Sequence, residues 1–261
     1  MMIRNANEPD SRTPDPIPSV RDPRSALAVI IARAGSKGLA NKSMRVLEGK
    51  PLVAWTIEHA LGSKQVSAVV LTSDGPDILD VGRHYGIHTY VRPPHRASDT
   101  ATIDDGARHG VECWEDEHGR TCHYVAILYA NVPIRPPDLT DRALRKLIET
   151  EADSVQTVYP VGKMHPLWMR TLSGPFEDKL ENYQPNCIYR RQDLPPVYML
   201  NSGVLAVTRT GLFTVDPENP HAFLGTDRRA IVTRPDAVVD VDDELDLIVA
   251  EGVLKMKVGR G

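Results

Sequence analysis

Short apolar runs and longer amphipathic segments alternate along most of the chain. The runs have the length and continuity of strands that are buried on both faces. Between them, apolar side chains recur at helical spacing, with Pro51 and Gly86 where helices commonly begin and end. The predicted strands are 26–32, 66–74, 87–93, 124–130, 153–161 and 201–208, and the predicted helices are 51–61, 76–86, about 100–116 and 138–152.

This alternation predicts an α/β fold. Strands that alternate with helices are joined by right-handed crossovers, which makes the sheet mostly parallel and places helices on both of its faces. We therefore predict a Rossmann-like sheet, and in such sheets ligands bind beyond the carboxyl ends of the strands. Four side chains stand at or just after a predicted strand end, namely Arg33, Asp74, Arg92 and Tyr129.

Three parts of the chain depart from the alternation. Residues 1–25 are rich in Pro, Asp, Arg and Ser, which predicts a disordered leader in front of one domain over 26–261. Residues 162–200 are rich in proline and aromatic residues and have weak periodicity, which predicts a hairpin or arm outside the main sheet. Residues 237–255 predict a strand that turns into a C-terminal helix.

Composition excludes several classes of function. The chain has 261 residues, 41% hydrophobic and 25% charged, with a formal net charge of −4. This charge argues against a general binder of nucleic acid or of membrane surfaces, so an anion site must be a local basic pocket. No apolar run reaches the ~20 residues of a membrane helix, and the start lacks the apolar centre of a signal peptide. The 3 cysteines match no zinc pattern, so we expect reduced thiols in a cytoplasmic protein.

The loop after the first predicted strand combines glycine with positive charge. In AVIIARAGSKGLANKSMR (28–45), Gly35 and Gly38 permit close backbone approach, while Arg33, Lys37 and Lys42 supply charge. A strand, a glycine-containing loop and a helix together form a cradle of backbone N–H groups, so we predict a polyphosphate ligand. The glycine patterns of the common P-loop and of dinucleotide-binding proteins are absent. The alternative is a basic surface loop with two turn glycines.

Asp240 and Asp242 form a candidate metal pair. They stand two residues apart on a predicted strand end, so both side chains face the same way. Mg²⁺ prefers one or two carboxylates together with substrate phosphates. The alternative is an acidic cap on the following helix, where Asp243 and Glu244 would favour the N-terminal end of the helix dipole. Both interpretations can hold together.

Five segments, in order along residues 26–255, resemble the acylneuraminate cytidylyltransferases, the enzymes that make CMP-activated sialic acids. These segments are AVIIARAGSKGLANKSMRVLEGKPLVAWTI, VVLTSDG, VRPPHRASDTA, YRRQDLPPVYMLNSGVLAV and VDVDDELDL. The resemblance implies that the anomeric hydroxyl of a sugar acid attacks the α-phosphorus of CTP and that pyrophosphate leaves. Positioning and charge neutralisation would supply most of the catalysis.

The resemblance also implies roles for single residues. Arg33, Lys37 and Asp242 would be catalytic, and Asp240 together with Asp242 would bind Mg²⁺. The implied nucleotide-binding residues are Ala32, Arg33, Gly35, Ser36, Lys37, Asn41, Arg92, Ala97, Ser98, Asp99 and Thr100. Two of them have alternative interpretations, Arg92 as a surface ion pair and Asp99 as the cap of the helix that starts near Thr100.

On the sugar side, the implied binding residues are Tyr129, Asn131, His165, Arg191, Gln192 and Asn201. Arg191 would bind the carboxylate of the sugar, because arginine contacts carboxylates in a bidentate way. The alternative is a solvated basic face. In the family the arm reaches into a neighbouring subunit, so the resemblance implies a homodimer with the arm over about 162–200.

The chain departs from the sialic-acid members on this same side. LYANVPIR (128–135) stands where those members carry Leu-Gln-Pro-Thr-Ser-Pro-Leu-Arg, so Tyr129 replaces a glutamine. Trp168 stands where a lysine is usual, and Leu205 where a tyrosine often faces the sugar. We therefore expect nucleotidyl transfer with an acceptor that can differ. The alternatives left open are a nucleotidyltransferase for another sugar or sugar phosphate, and a catalytically silent nucleotide-binding protein.

Overall fold

The computed structural model describes residues 26–35, 39–98 and 101–258, so the predicted leader over 1–25 lies outside the described residues. The strands are β1 (Ala26–Ile31), β2 (Val46–Leu47), β3 (Lys50–Pro51), β4 (Val66–Ser73), β5 (His88–Val91), β6 (Tyr124–Tyr129), β7 (Ser154–Pro160), β8 (Arg170–Ser173), β9 (Lys179–Asn182), β10 (Tyr198–Thr208) and β11 (Arg228–Val232). The helices are α1 (Leu52–Leu61), α2 (Pro76–His84), α3 (Ile103–His118), α4 (Leu139–Thr150), α5 (Arg209–Leu212) and α6 (Glu244–Val258).

A seven-stranded sheet in the order β11-β7-β10-β6-β1-β4-β5 forms the centre of the molecule. β1 runs parallel to β4 and β6, β5 runs parallel to β4, and β11 runs parallel to β7. β10 is antiparallel to both β6 and β7. The predicted mostly parallel sheet is confirmed. β11 was not predicted, because it is an edge strand in which Ile231 alone is buried and the apolar pattern is weak.

Side chains of β1 point alternately into two apolar cores. Ala28 and Ile30 pack on the face covered by α1, α2 and α4, whereas Leu27 and Val29 pack on the face covered by α3 and α5. All four side chains are fully buried. Burial on both faces explains why this strand is a continuous apolar run instead of an alternating one. The prediction of helices on both faces is confirmed.

A third apolar cluster fixes the chain beside the loop that follows β1. Leu39 and Leu47 pack there against Val241 and Leu247. Val241 stands between the two aspartates of the candidate metal pair, and Leu247 belongs to α6. The cluster therefore holds this acidic segment next to the basic loop, although some 200 residues separate them in the sequence.

The segment immediately before α6 is not the predicted strand. Val239 makes a single antiparallel bridge with Ile134, and the N–H of Val241 donates to the carbonyl of Asn131 at 2.9 Å. The neighbour on that side is a short loop after β6, which offers too little extended backbone for a ladder. The helical part of the prediction is confirmed by α6.

Residues 162–197 lie outside the main sheet, as the loss of alternation predicts, whereas 198–200 belong to β10. β8 and β9 form an antiparallel hairpin in which Leu172 lies opposite Leu180, with 62% and 68% of these residues exposed. Residues 162–197 will be called the arm. β10 then begins at Tyr198, a few residues earlier than predicted, because its first part pairs with the end of β7.

No helix in the described part of the chain combines the length and the hydropathy that crossing a membrane requires. Cys113, Cys122 and Cys187 are unpaired thiols, as expected. Burial, together with the charge of Glu115, raises the pKa of the Cys122 thiol to about 12. Cys122 therefore acts as a small apolar core side chain.

Candidate active site

A cavity of about 450 Å³ opens beyond the carboxyl ends of β1, β5 and β6. This is the edge at which sheets of this kind bind ligands. Its lining includes the following residues implied by the resemblance: Ala32, Arg33, Arg92, Tyr129, Asn131 and Asp242. The remaining lining residues are Ile31, Leu39, Lys42, Ser43, Ala101, Thr102 and Ile103. We call this space the first cavity.

The loop after β1 forms one wall of the first cavity. Its start is tied to β4, since the N–H of Ala32 donates to the carbonyl of Thr72 at 3.2 Å and the N–H of Ala34 donates to Asp74 Oδ1 at 2.8 Å. A Cβ on Gly35 would meet nothing within 4 Å, so its described neighbours do not require glycine there. Ser36 and Lys37 lie outside the described residues.

The chain returns to the first cavity at Asn41. This residue adopts a left-handed conformation, with φ of 50°, which asparagine tolerates better than most residues. It turns the chain into a short 3₁₀ helix, Lys42–Met44, whose first two side chains line the first cavity. The described part of the loop therefore presents Arg33 and Lys42 from two sides.

Arg92 is a buried side chain at the floor of the first cavity. It is 7% exposed, and its Nη2 donates to the carbonyl of Thr72 at 2.7 Å. The interpretation as a surface ion pair is therefore wrong. A Cβ on Gly106 would lie 3.2 Å from the Arg92 guanidinium carbon, so glycine at that position of α3 makes room for the cation. Burial lowers the pKa of Arg92, and the charge of Asp74 opposes this effect.

The N-terminus of α3 points at the same cavity. The helix begins at Ile103 and its cap is Thr102, whose hydroxyl accepts from the N–H of Asp105 at 3.3 Å. The helix thus starts about three residues later than expected, and Asp99 and Thr100 lie outside the described residues. Ala97 and Ser98 do not line the first cavity. The partial positive charge of a helix N-terminus favours an anionic ligand here.

The side chain of Asn131 contacts both aspartates of the candidate metal pair. Its Nδ2 donates to Asp240 Oδ1, and it lies 3.3 Å from Asp242 Oδ1 and 3.2 Å from the carbonyl of Val241. Lys42 donates to the same oxygen of Asp242 at 2.5 Å. Burial raises the pKa of Asp240, and the neighbouring charge of Asp242 raises it further. The two carboxylates thus converge on one point beside the first cavity.

The cap of α6 is formed by other acidic residues. Asp243 Oδ1 accepts from the N–H of Asp246 at 2.9 Å, while Asp246 Oδ2 accepts from the N–H groups of Asp242 and Asp243 at 2.9 and 3.2 Å. This reciprocal arrangement satisfies the start of the helix. The side chains of Asp240 and Asp242 are therefore not used by the cap.

A second cavity, of about 330 Å³, shares Tyr129 and Ile103 with the first. Its other lining residues are Gln156, Thr157, Leu200, Ser202, Val204, Leu205, His221, Phe223, Leu224 and Arg228. Tyr129 lies at the junction, where burial raises its pKa to about 12 and the charges of Asp240 and Asp104 add to this effect. The phenol therefore stays protonated at physiological pH. Leu205, one of the departures from the family pattern, faces this second cavity.

Asn201 stabilises the irregular part of β10 beside the second cavity. Its Oδ1 accepts from the hydroxyl of Thr157 at 2.6 Å, and its Nδ2 donates to Thr233 Oγ1 at 2.7 Å. The next residue, Ser202, has a φ of 57°, and its hydroxyl contacts Asp240. The amide of Asn201 is thus engaged inside the protein, and it orients the neighbouring Ser202.

The remaining predicted sugar-side residues lie in the arm. His165 is 3% exposed, and its ring nitrogens contact the carbonyl of Pro195 at 3.0 Å and the N–H of Leu167 at 3.1 Å. Arg191 and Gln192 are exposed. None of these three lines the first or the second cavity of its own chain.

Arg135 was not singled out as a site residue, yet it braces the backbone at Tyr129, a residue that both cavities share. Its side chain is buried, and its guanidinium donates to the carbonyls of Gly203, Tyr129 and Val132, at 2.6 Å for Gly203 and 3.0 Å for Tyr129. It also donates to the hydroxyl of Thr56 at 3.0 Å. Burial lowers the pKa of Arg135 to about 9. One feature of the sequence could have identified it: Arg135 is the last residue of the 128–135 segment, and the family pattern at this place also ends in arginine.

The comparisons with known proteins agree with this geometry. A family model described as Cytidylyltransferase matches residues 27–195. The chain belongs to this family. The matched region includes the loop after β1, Arg92, the 128–135 segment and most of the arm, and the expectation of a cytidylyltransferase is confirmed.

Curated relatives make CMP-activated sugar acids. The chain is 29% identical over 234 residues to a CMP-N,N'-diacetyllegionaminic acid synthase of Legionella pneumophila, and the match covers 88% of this chain and 96% of the relative. It is 29% identical over 177 residues to a pseudaminic acid cytidylyltransferase of Campylobacter jejuni, covering 66% of this chain and 73% of the relative. An N-acylneuraminate cytidylyltransferase of Escherichia coli is 26% identical over 238 residues, and the match covers 88% of this chain and 52% of the relative.

Two solved structures share the fold. A CMP:2-keto-3-deoxy-manno-octonic acid synthetase complexed with CTP matches with a TM-score of 0.64 and 17% identity, covering 89% of this chain and 99% of that chain. The 4-diphosphocytidyl-2C-methyl-D-erythritol synthase from Anaerococcus prevotii matches with a TM-score of 0.58 and 13% identity, covering 89% and 99%. The chain therefore has the nucleotide-diphospho-sugar transferase fold, which agrees with the predicted Rossmann-like sheet.

We predict that Arg135→Lys lowers the free energy of unfolding by about 2–4 kcal/mol, because one ammonium group cannot reach the acceptors that the planar guanidinium satisfies. Urea denaturation followed by circular dichroism measures this loss. The matched control is Arg142→Lys on α4, where the arginine is exposed and lies 3.8 Å from Asp138. We expect the control to change stability by less than about 0.5 kcal/mol. Equal losses in the two variants would contradict the bracing role.

Proposed function

We propose that the protein transfers CMP from CTP to the anomeric hydroxyl of a nonulosonic, sialic-acid-like sugar acid and releases pyrophosphate. The observation that carries this proposal is the junction of the two cavities at Tyr129, beside the convergent Asp240 and Asp242. A nucleotide in the first cavity and an acceptor in the second would meet at this junction. The activities for which the relatives are named support this choice of substrates.

The first cavity suits the nucleotide. We propose that Arg33, Lys37 and Lys42 neutralise the triphosphate, with backbone and side-chain donors of Gly35, Ser36 and Asn41. On the base and ribose side we propose Ala32, Arg92, Ala97, Ser98, Asp99 and Thr100. The cationic lining and the N-terminus of α3 support this assignment, since both favour a polyanion.

Asp240 and Asp242 fit a Mg²⁺ ion. Their oxygens converge on Asn131, and hard oxygen donors are what this ion prefers. A bound cation would also relieve the unfavourable burial and like-charge contact that raise the pKa of Asp240. When bound, Mg²⁺ would neutralise charge on the reacting phosphates. Asn131 and Ser202 would keep the carboxylates oriented toward the first cavity.

The second cavity suits the acceptor. We propose that Tyr129 and Asn131 contact the sugar at the junction and that Asn201 acts on it through Ser202. Leu200, Val204, Leu205 and Phe223 give the second cavity an apolar side, which suits the acyl groups of such sugars. This apolar lining supports an acceptor that differs from that of the sialic-acid members.

The arm supports a homodimer. Leu172 and Leu180 lie opposite each other on the hairpin, Phe176 at its turn is 84% exposed, and Tyr189 further along the arm is 93% exposed. Exposed apolar surface of this kind marks interfaces. We propose that the arm packs on a second copy, where Arg191 and Gln192 would reach the acceptor, and that His165 holds the arm in shape. We also propose a cytoplasmic location, where CTP is available.

The first test is pyrophosphate release with Mg²⁺ and CTP against neuraminic, legionaminic, pseudaminic and deoxyoctulosonic acids, with GTP, UTP and ATP as nucleotide controls. We expect release with CTP and one nine-carbon acid. Release only with a phosphorylated sugar, or with another nucleotide, would favour a different nucleotidyltransferase. Binding of CTP without turnover on any acceptor would favour a catalytically silent protein.

We predict that Asp242→Asn lowers kcat for pyrophosphate release at least ~100-fold and leaves the fold intact, because it removes one of the two convergent charges. The control is Asp243→Asn, since asparagine also caps helices and Asp243 faces α6. Steady-state kinetics at several Mg²⁺ concentrations measure both variants. Unchanged turnover in Asp242→Asn would rule out the metal assignment.

We predict that the double variant Leu172→Glu/Leu180→Glu is monomeric, whereas the parent protein elutes at twice the chain mass of 28.9 kDa in size-exclusion chromatography with light scattering. Two charges on the paired positions of the hairpin would prevent its apolar face from being covered. Leu245→Glu on α6 is the control, because this leucine is 67% exposed and lies away from the arm. A parent protein that is monomeric would refute the dimer.

A further inference from the structure

A cluster of metal-binding side chains lies far from the two cavities, where the start of β5 meets the end of α3. We propose that His88, Glu117 and His118 form a site for a divalent transition-metal ion of the Zn²⁺ class. Their potential ligand atoms all lie within 4.8 Å of one another. This inference does not depend on the proposed function.

His118 is held in the orientation of a metal ligand. Its Nδ1 lies 2.8 Å from the carbonyl of Trp114, so this nitrogen carries the proton and donates. The ring is also stacked on Trp114, with centroids 4.7 Å apart and an interplanar angle of 17°. Nε2 is therefore the nitrogen left for a ligand. A histidine whose other nitrogen donates to a backbone carbonyl is the usual arrangement around protein-bound metals.

His88 stands against this ring. The two imidazoles meet edge to face, with centroids 4.7 Å apart and an interplanar angle of 85°. This contact places the two imidazoles side by side where β5 meets α3, close enough for both to bind one ion.

Glu117 supplies the third ligand and the negative charge. Its carboxylate accepts from the hydroxyl of Tyr90, which orients it from the neighbouring position on β5. Ligand atoms of a tetrahedral Zn²⁺ ion lie about 3.4 Å apart, given bonds of about 2.0–2.1 Å. The ligand atoms of the three side chains, all within 4.8 Å of one another, would approach this spacing when an ion binds.

The donor set selects the kind of ion. Two imidazole nitrogens and one carboxylate suit Zn²⁺, Co²⁺ or Ni²⁺, whereas Mg²⁺ and Ca²⁺ prefer oxygen ligands throughout. His88 and Glu117 also line a surface depression of about 670 Å³ that includes Asp116 and Cys113. Water can complete the coordination from this side. The site therefore differs in chemistry from the pair of aspartates beside the first cavity.

Its position suggests what the ion would do. α3 has 16 residues, so His118 at its end lies roughly 22 Å from Ile103, which lines the first cavity. β5 likewise starts at His88 and leads to Arg92 on the cavity floor. An ion bound by both elements would cross-link the edge strand β5 to the C-terminal end of α3. We expect it to stabilise the fold without entering the transfer reaction.

The test uses the untagged full chain, treated with EDTA and freed of chelator, and ZnCl₂ alone as the probe. We expect calorimetry to show one equivalent bound at micromolar or tighter affinity, a visible absorption spectrum of a four-coordinate ion with Co²⁺, and a raised Tm with Zn²⁺. We expect His88→Ala and His118→Ala each to weaken Zn²⁺ binding at least ~10-fold. His84→Ala, an exposed histidine on α2, is the matched control and should bind like the parent protein.

Two further variants keep the test decisive. Glu117→Gln and His88→Gln retain polar side chains of similar size, so they report on binding if an alanine variant does not fold by circular dichroism. Asp242→Asn should keep the Zn²⁺ affinity of the parent, which separates this site from the acidic pair. Absence of Zn²⁺ binding to the parent, or equal affinity in the His88→Ala/His118→Ala double variant, would overturn the proposal.

Discussion

The buried guanidinium of Arg135 holds three separate parts of the chain in one place. Its guanidinium donates hydrogen bonds to three elements: the end of β6, the irregular stretch of β10 and the middle of α1. Two of these elements, β6 and β10, supply residues to the lining of the second cavity, and Tyr129 of β6 also lines the first. A buried cation is costly to desolvate, and the lowered pKa of Arg135 reflects that cost. The hydrogen bonds to the carbonyls of Gly203, Val132 and Tyr129 offset part of this cost.

Charge at the site is organised locally and not by the protein as a whole. The chain carries a net charge of −4, yet Arg33, Lys42 and Arg92 all face one cavity. Two acidic side chains beside this cavity are held by specific contacts, Asp240 by Asn131 and Ser202, and Asp242 by Lys42. A connected row of polar groups thus runs from the basic loop to the edge of the second cavity. Such an arrangement would stabilise negative charge that develops on phosphates between the two cavities.

Two glycines leave space that neighbouring buried side chains occupy. At Gly203 a Cβ would lie 2.7 Å from Thr157 Oγ1, and at Gly106 it would crowd the Arg92 guanidinium. Both glycines lie inside regular elements, where glycine is otherwise unfavourable. The first allows the irregular turn of β10 beside the second cavity, and the second allows α3 to cover Arg92. Neither was marked by the sequence pattern, because a single glycine within a strand or helix has several explanations.

The sequence by itself determined the sheet, most of its strands and the helices on both faces, because burial on two faces imposes continuous apolar runs and helical spacing. It also located the basic loop, the acidic pair and the arm, since motif order and strand ends place such residues at one edge. Only the tertiary structure decided that Thr102 caps α3, that the segment around Val239 forms no strand, that Asn201 and His165 are engaged in internal hydrogen bonds, and that Arg135 braces the backbone at Tyr129. It alone brought His88 next to His118. The physical reason is that each outcome depends on which side chain fills a particular space between segments that are distant in the sequence. Local sequence patterns do not describe the shape of such a space.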